Sequence, residues 1–293
     1  MSEASNINSP LVSVLMTAYN RELYIAEAIE SVLASAYTNF ELIIVDDGST
    51  DKTIGIVQSY KERDNRIRLY INERNLGDYF NRNKAAGYAK GKYLKYLDSD
   101  DKIYDYGLGY CVEQMEQHPE AALGLVVLYD MGVDDSVCID SAKIVRDHFF
   151  KRQYLSIGPT GTIIRRDRFI EMNGFDTRFG VASDSFFNIR MASSFPIVLL
   201  QRMFVYYREH EGQEKNNRVG YLKFGYLYFK ELMERVQLPL TKNEIRYLYK
   251  KLKKRHALNL TRYLLETKDI RSVKQVMSET GFGLSDLLAG YFK

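Results

Sequence analysis

The chain has 293 residues, 45% hydrophobic and 27% charged, enough to bury a large core in one big domain or one domain with a smaller appendage. A formal net charge of +3 does not suggest a nucleic-acid binder, and two cysteines, Cys111 and Cys138, supply neither a disulfide framework nor a metal cluster. From Tyr221 onward there are 15 Lys or Arg against 7 acidic residues, a net of +8, which leaves −5 for the first 220.

The opening MSEASNINSP lacks the apolar core of a signal peptide, and no apolar run approaches the roughly 20 residues of a membrane span. A cytoplasmic protein, at most peripheral to a membrane, is expected. LVSVLMT (Leu11–Thr17) then reads as a buried strand. Asn20 is placed to cap the helix after it, whose apolar stripe is Ile25, Ala28, Ile29, Val32 and Leu33. FELIIV (Phe40–Val45) is a second strand running into DDGSTDKT. There Gly48 permits a turn, Ser49 or Thr50 caps, Asp51 favours a helix start and Asp46 serves the turn.

RIRLYI alternates Ile67, Leu69 and Ile71, the pattern of a half-buried strand. A helix over roughly Asp78–Lys90 leads to the strand YLKYL and the cluster Asp98, Asp100, Asp101. This alternation of strands and helices predicts a parallel sheet with helices on its faces. Ligands then bind beyond the carboxyl ends of the strands, where TAYN, DDGS and DSDD meet. Three carboxylates in four positions repel unless a cation joins them, and hard divalent cations take such oxygens together with substrate phosphates. No G-x-G-x-x-G follows the first strand and no P-loop occurs, which removes dinucleotide oxidoreductases and P-loop NTPases. Two-carboxylate glycoside hydrolysis stays open on chemistry alone.

Farther on, Ala122–Tyr129 and TGTIIRR read as strands, RFIEMNG as a helix stopped by Gly174, SDSFFNIRMASS as a helix with Asp184 in its first turn, and IVLLQRMFVYY as one strand. The tail is helical, with Thr241 and Glu244 as a capping box and a stripe of Ile245, Leu248, Tyr249 and Leu252. Lys250, Lys251, Lys253, Lys254 and Arg255 flank that stripe and suggest contact with an anionic bilayer. The Tyr-rich GYLKFGYLYF reads as core.

VSVLMTAYNRELYIAEAIESVLASAYTNFELIIVDDGSTDKT, NLGDYFNRNKAAGYAKGKYLKYLDSDD, NGFDTRFGVASDSFFNIRMAS and YYREHEG, in that order, resemble the family 2 glycosyltransferases. The resemblance covers roughly the first 215 residues. It implies a GT-A fold, α/β with a mixed, mainly parallel sheet flanked by helices, over residues 1–218, with a basic helical extension at 219–293. It implies inverting transfer from a nucleotide-diphosphate sugar, most often a UDP-sugar, to a glycan or lipid-linked acceptor in surface polysaccharide assembly, with Mn²⁺ or Mg²⁺ as cofactor and no nucleic-acid partner. Thr17, Ala18, Tyr19 and Arg21 would frame the nucleotide, Asp47 the base, Arg82 and Asn83 the donor. Asp98 or Asp100 would meet the ribose or metal, Asp101 the metal, His210 the metal or diphosphate. Asp184 matches the catalytic base, preceded by Ser183 where the family commonly carries Glu. The acceptor would lie over about Val133–Arg165.

Overall fold

The computed structural model describes residues 9–127, 132, 136–210 and 217–292. The N-terminal opening through residue 8, Leu128 and Tyr129 of one expected strand, residues 133–135 of the acceptor region and the last two residues of YYREHEG lie outside them. The first half alternates as the sequence predicts: β1 (Val12–Ala18), α1 (Ile25–Leu33), β2 (Phe40–Asp46), α2 (Thr53–Lys61), β3 (Ile67–Ile71), α3 (Asp78–Tyr88) and β4 (Tyr93–Tyr96). β1 lies between β2 and β4, with β3 outside β2, all parallel. Both faces of β1 and β2 are covered, which is why they are continuous apolar runs rather than alternating ones. β3 sits at the sheet edge, and Ile71 is 52% exposed, so the alternation there fails at its last member.

The second half brings the short β5 (Lys102–Ile103), α4 (Gly107–Gln117), β6 (Leu123–Val126), β7 (Ser136–Ile139), α5 (Ser141–Phe150), β8 (Thr162–Arg165), α6 (Arg166–Glu171) and α7 (Ser183–Ser194). β8 runs antiparallel between β4 and β6, so the sheet is mixed. IVLLQRMFVYY is two strands rather than one. β9 (Ile197–Leu200) enters the main sheet beside β6, while β10 (Val205–Tyr206) leaves it and pairs with β5 in a separate ribbon. The polar Gln201-Arg202 break lets the chain turn from one sheet to the other, carrying the segment after β10 back to the DSDD loop.

Four helices close the chain: α8 (Arg218–Arg235), α9 (Lys242–Thr267), α10 (Ile270–Thr280) and α11 (Leu284–Phe292). The capping box at Thr241 is formed in both directions, its hydroxyl accepting from Glu244 N–H while the Glu244 carboxylate accepts from Thr241 N–H. Leu232, Met233, Leu238 and Leu248 join the core of the body. Tyr226, Leu252, Leu260 and Phe282 build a second core among the helices themselves. Gly180, at φ +46°, lies so close to α8 that a Cβ there would stand 2.7 Å from the Phe224 ring. Among the described residues no helix is long and apolar enough to cross a membrane.

Candidate active site

The rim at the strand ends is stitched loop to loop. Asn20 does not cap α1. It takes φ +52°, and its side-chain oxygen accepts from Thr50 N–H at 2.9 Å while its own N–H donates to Ser49 Oγ. Arg21 N–H donates to Thr53 Oγ1, and Asp51 accepts from the N–H groups of Glu22 and Thr53. Ser49 turns inward too, its hydroxyl donating to Asp46, which also accepts from Gly48 and Ser49 N–H. Asn20 and Ser49 are thus spent on joining the loops after β1 and β2 rather than on helix caps, while Asp51 does both, holding Glu22 N–H across the gap and Thr53 N–H at the first residue of α2. Thr17 is half-buried at the strand end, Ala18 is buried, and Tyr19 projects at 43% exposure.

Asp47 is only 3% exposed. One of its oxygens accepts from Asn72 Nδ2 and Leu76 N–H, the other from Gly77 N–H at 3.0 Å. A carboxylate has about four acceptor positions, so one is left. Asp47 therefore holds the loop that leads into α3, and Arg74, Asn75, Leu76 and Phe80 of that region line a small cavity of about 280 Å³. Asn83 stands elsewhere than expected: its amide donates to Phe175 C=O at 2.8 Å and accepts from Phe175 N–H at 2.9 Å. With one amide hydrogen and one oxygen lone pair given to that backbone, it fastens α3 to the segment before α7.

The DSDD loop gathers Asp98, Asp100 and Asp101, with ligand oxygens all within 4.8 Å of one another. Thr160 steadies them, its hydroxyl accepting from Asp98 N–H and its side chain bonding Asp101. Buried Lys95 reaches from β4 to the carbonyls of Tyr96 and Thr160, and desolvation lowers its pKa to about 8. Asp98 pairs with Arg82 at 2.8 Å, and Arg82 pairs with Asp78 at the same distance. Burial opposes the Arg82 charge, but Asp78 and Asp98 more than offset it, so it stays protonated. One oxygen of Asp100 meets Arg21 at 3.3 Å and His210 at 2.9 Å. Asp101 accepts from Arg208 N–H, and burial next to Asp98 pushes its carboxyl up to about 7.

An all-oxygen donor set of three carboxylates this close together fits a hard divalent cation. His210 stacks on Tyr24 and meets Asp100 through Nε2, which places its ring beside the acidic loop.

Asp184 opens α7. Its neighbour Ser183 is fully buried and donates its hydroxyl to Asp176 C=O at 2.8 Å, so serine fixes the helix start at this position. Desolvation raises the Asp184 carboxyl to about 6, against the pull of Ser185 N–H and Arg82. Tyr79 feels the charges of both Asp184 and Asp98, so α3 links this carboxylate electrostatically to the rim. Asp176 is a poorer proton acceptor: burial works against its charge, but Arg178 at 2.7 Å outweighs it and lowers its pKa.

Asp184 also borders a cavity of about 850 Å³ between the body and the C-terminal helices. Tyr221, Tyr226 and Tyr228 of the Tyr-rich stretch line it, so that stretch is only partly core. The five basic residues at 250–255 do not form one membrane-facing surface. Lys253 pairs with Asp286 at 2.9 Å, while Lys251 and Arg255 line the cavity. Periodicity gives their spacing on the helix, but only the docking of α9 gives their direction.

Residues 13–187 match glycosyl transferase family 2. The chain belongs to that family. Among its relatives, an uncharacterized glycosyltransferase of Methanocaldococcus jannaschii is 29% identical over 69% of this chain and 72% of its own length. A Bacillus subtilis glycosyltransferase named for teichuronic acid biosynthesis is 47% identical over 32% of this chain. An uncharacterized glycosyltransferase of Haemophilus influenzae is 43% identical over 33%. The last two matches span only 37% and 39% of those proteins.

S. aureus TarS, solved with UDP, superposes on this glycosyltransferase with a TM-score of 0.72 at 20% identity, over 96% of this chain and 81% of the other. A mannosyltransferase from Pyrobaculum calidifontis, solved with GDP-Man and Mn²⁺, does so at 0.65 and 16% identity, over 97% and 86%. These structures share the fold, including a mainly parallel sheet flanked by helices.

Proposed function

We propose that this family 2 glycosyltransferase moves a sugar from a nucleotide-diphosphate donor, a UDP-sugar, to a hydroxyl of a glycan or lipid-linked acceptor with inversion at the anomeric carbon. The observation that carries the proposal is the position of Asp184, a half-buried carboxylate at the wall of the large cavity whose pKa desolvation lifts to about 6. The acceptor hydroxyl lies at Asp184, which takes its proton as the oxygen attacks the anomeric carbon. The bond from that carbon to the diphosphate breaks, and its electron pair leaves with the nucleotide. Thr17, Ala18, Tyr19 and Arg21 frame the nucleotide, and Asp47 serves the base through the loop it holds and its remaining acceptor position. Asp98 and Arg82 stand on the ribose and donor side.

Asp100 and Asp101 would hold Mn²⁺ or Mg²⁺, which when bound supplies positive charge next to the leaving diphosphate. The division at 218/219 fits this reading, with the donor on the body and the helices closing the acceptor side. TarS, solved with UDP and with UDP-GlcNAc, supports the donor class, and the teichuronic acid relative supports surface polysaccharide assembly.

The test is a panel of UDP-, GDP- and dTDP-sugars with Mn²⁺, read as released nucleotide, for the wild type and Asp184→Asn. One donor should turn over, and the variant should lose about 10²- to 10⁴-fold in rate with its nucleotide Kd little changed. Tight nucleotide binding without turnover of any donor would instead make the protein a silent sugar-nucleotide binder.

A further inference from the structure

The large cavity has a charged wall that proton abstraction does not use. Leu248, Lys251, Leu252, Arg255, Asn259 and Arg262 recur along one face of α9 and line it. Among the described residues its lining includes five Lys or Arg side chains, these three with Lys151 and Arg218, and Asp184 as the one carboxylate. Three of the five are answered: Lys151 by Asp147 at 2.8 Å, Arg218 and Arg262 by Glu266. Among the described residues, no carboxylate pairs with Lys251 or Arg255, one helical turn apart and both exposed into the cleft.

Like charges at that spacing repel, and neither side chain is needed to fill the core. Tyr228 lines the same cavity as Asp184 and Arg255, and the charges of both reach its hydroxyl. A ligand with its hydroxyl at Asp184 would therefore extend naturally toward Arg255.

We infer that the acceptor carries phosphate, bound by Lys251 and Arg255 while its hydroxyl lies at Asp184. A planar guanidinium and a neighbouring ammonium suit a phosphate's several oxygens, and a cleft lined by one sign of charge concentrates an anionic partner. The inference rests on the transfer reading above, since it places the acceptor at Asp184. A phosphodiester polymer and a sugar on a lipid diphosphate present the same chemistry.

Calorimetry with saturating UDP and Mn²⁺, which keeps phosphate probes off the donor side, separates these sources. The probes are a glycerol phosphate oligomer, farnesyl diphosphate and neutral maltotriose, against wild type and K251Q/R255Q. At least one phosphate probe should bind the wild type in a salt-sensitive manner and more tightly than maltotriose. The double variant should weaken that binding at least tenfold while UDP affinity and Tm stay unchanged. Binding of the oligomer alone would assign the polymer, and binding of farnesyl diphosphate alone the lipid carrier. Failure of both phosphate probes, equal affinity for maltotriose, or indifference to the double substitution would overturn the inference. Donor turnover is measured separately, so a protein that binds phosphate here yet hydrolyses no donor would sink the transfer reading alone.

Discussion

Individual side chains show how differently the rim's carboxylates are treated by their surroundings. Asp184 titrates near 3.8 in the unfolded chain and near 6 in the folded one, because burial disfavours its charge. The native state thus binds this proton more tightly. The stability it contributes is present below about pH 4 and lost as pH rises through 6. Asp184→Asn should therefore raise Tm at pH 8 relative to wild type and change it little at pH 4, while the rise of transfer rate through pH 6 disappears. Unchanged Tm at both pH values would mean that solvent reaches the carboxylate.

Asn83 makes the opposite case, a residue with a structural task where a donor contact was expected. Asn83→Ala strands the Phe175 N–H and C=O, which should cost about 1–3 kcal/mol in denaturant unfolding. UDP affinity should not move, and a tenfold loss of it would restore Asn83 to the donor site.

Among the elements, Gly180 lies close against α8, where the body meets the C-terminal helices. An L side chain there meets both a positive φ and the Phe224 ring. Gly180→Ala should destabilise by on the order of 2 kcal/mol or more. Because α8 forms a wall of the cavity, the same change should raise the acceptor KM more than the donor KM. Equal effects on both would show that the helices do not shape the acceptor side independently. The split of IVLLQRMFVYY belongs here as well: β10 leaves the main sheet to pair with β5, which brings Arg208 and His210 onto Asp100 and Asp101. An apolar run bounded by polar residues does not announce that it will change sheets.

The whole molecule should behave as a metal- and nucleotide-linked protein. Ligands that bind only the native state stabilise it by about 2.7 kcal/mol at a hundredfold excess over Kd. UDP with Mn²⁺ should raise Tm by a few degrees, EDTA should remove most of that gain, and Asp101→Asn should remove the metal-dependent part while keeping the fold. A Tm gain from UDP that EDTA and the variant leave intact would argue against a metal at the DSDD loop.

The sequence by itself determined the alternating β-α order, the three polar strand ends, the capping box at Thr241 and the helix with Asp184 in its first turn. Each of these is local, carried by side-chain periodicity or by groups within a few residues of one another. Tertiary structure decided what depends on distant partners. It turned Asn20 and Ser49 into loop stitches, bonded Asn83 to Phe175, and buried Lys95 under the acidic loop. It also aimed Lys251 and Arg255 into the cleft beside Asp184 instead of at one shared outer face. Hydrogen-bond capacity and charge are written in the sequence, but the partner that uses them is set by which surfaces pack together.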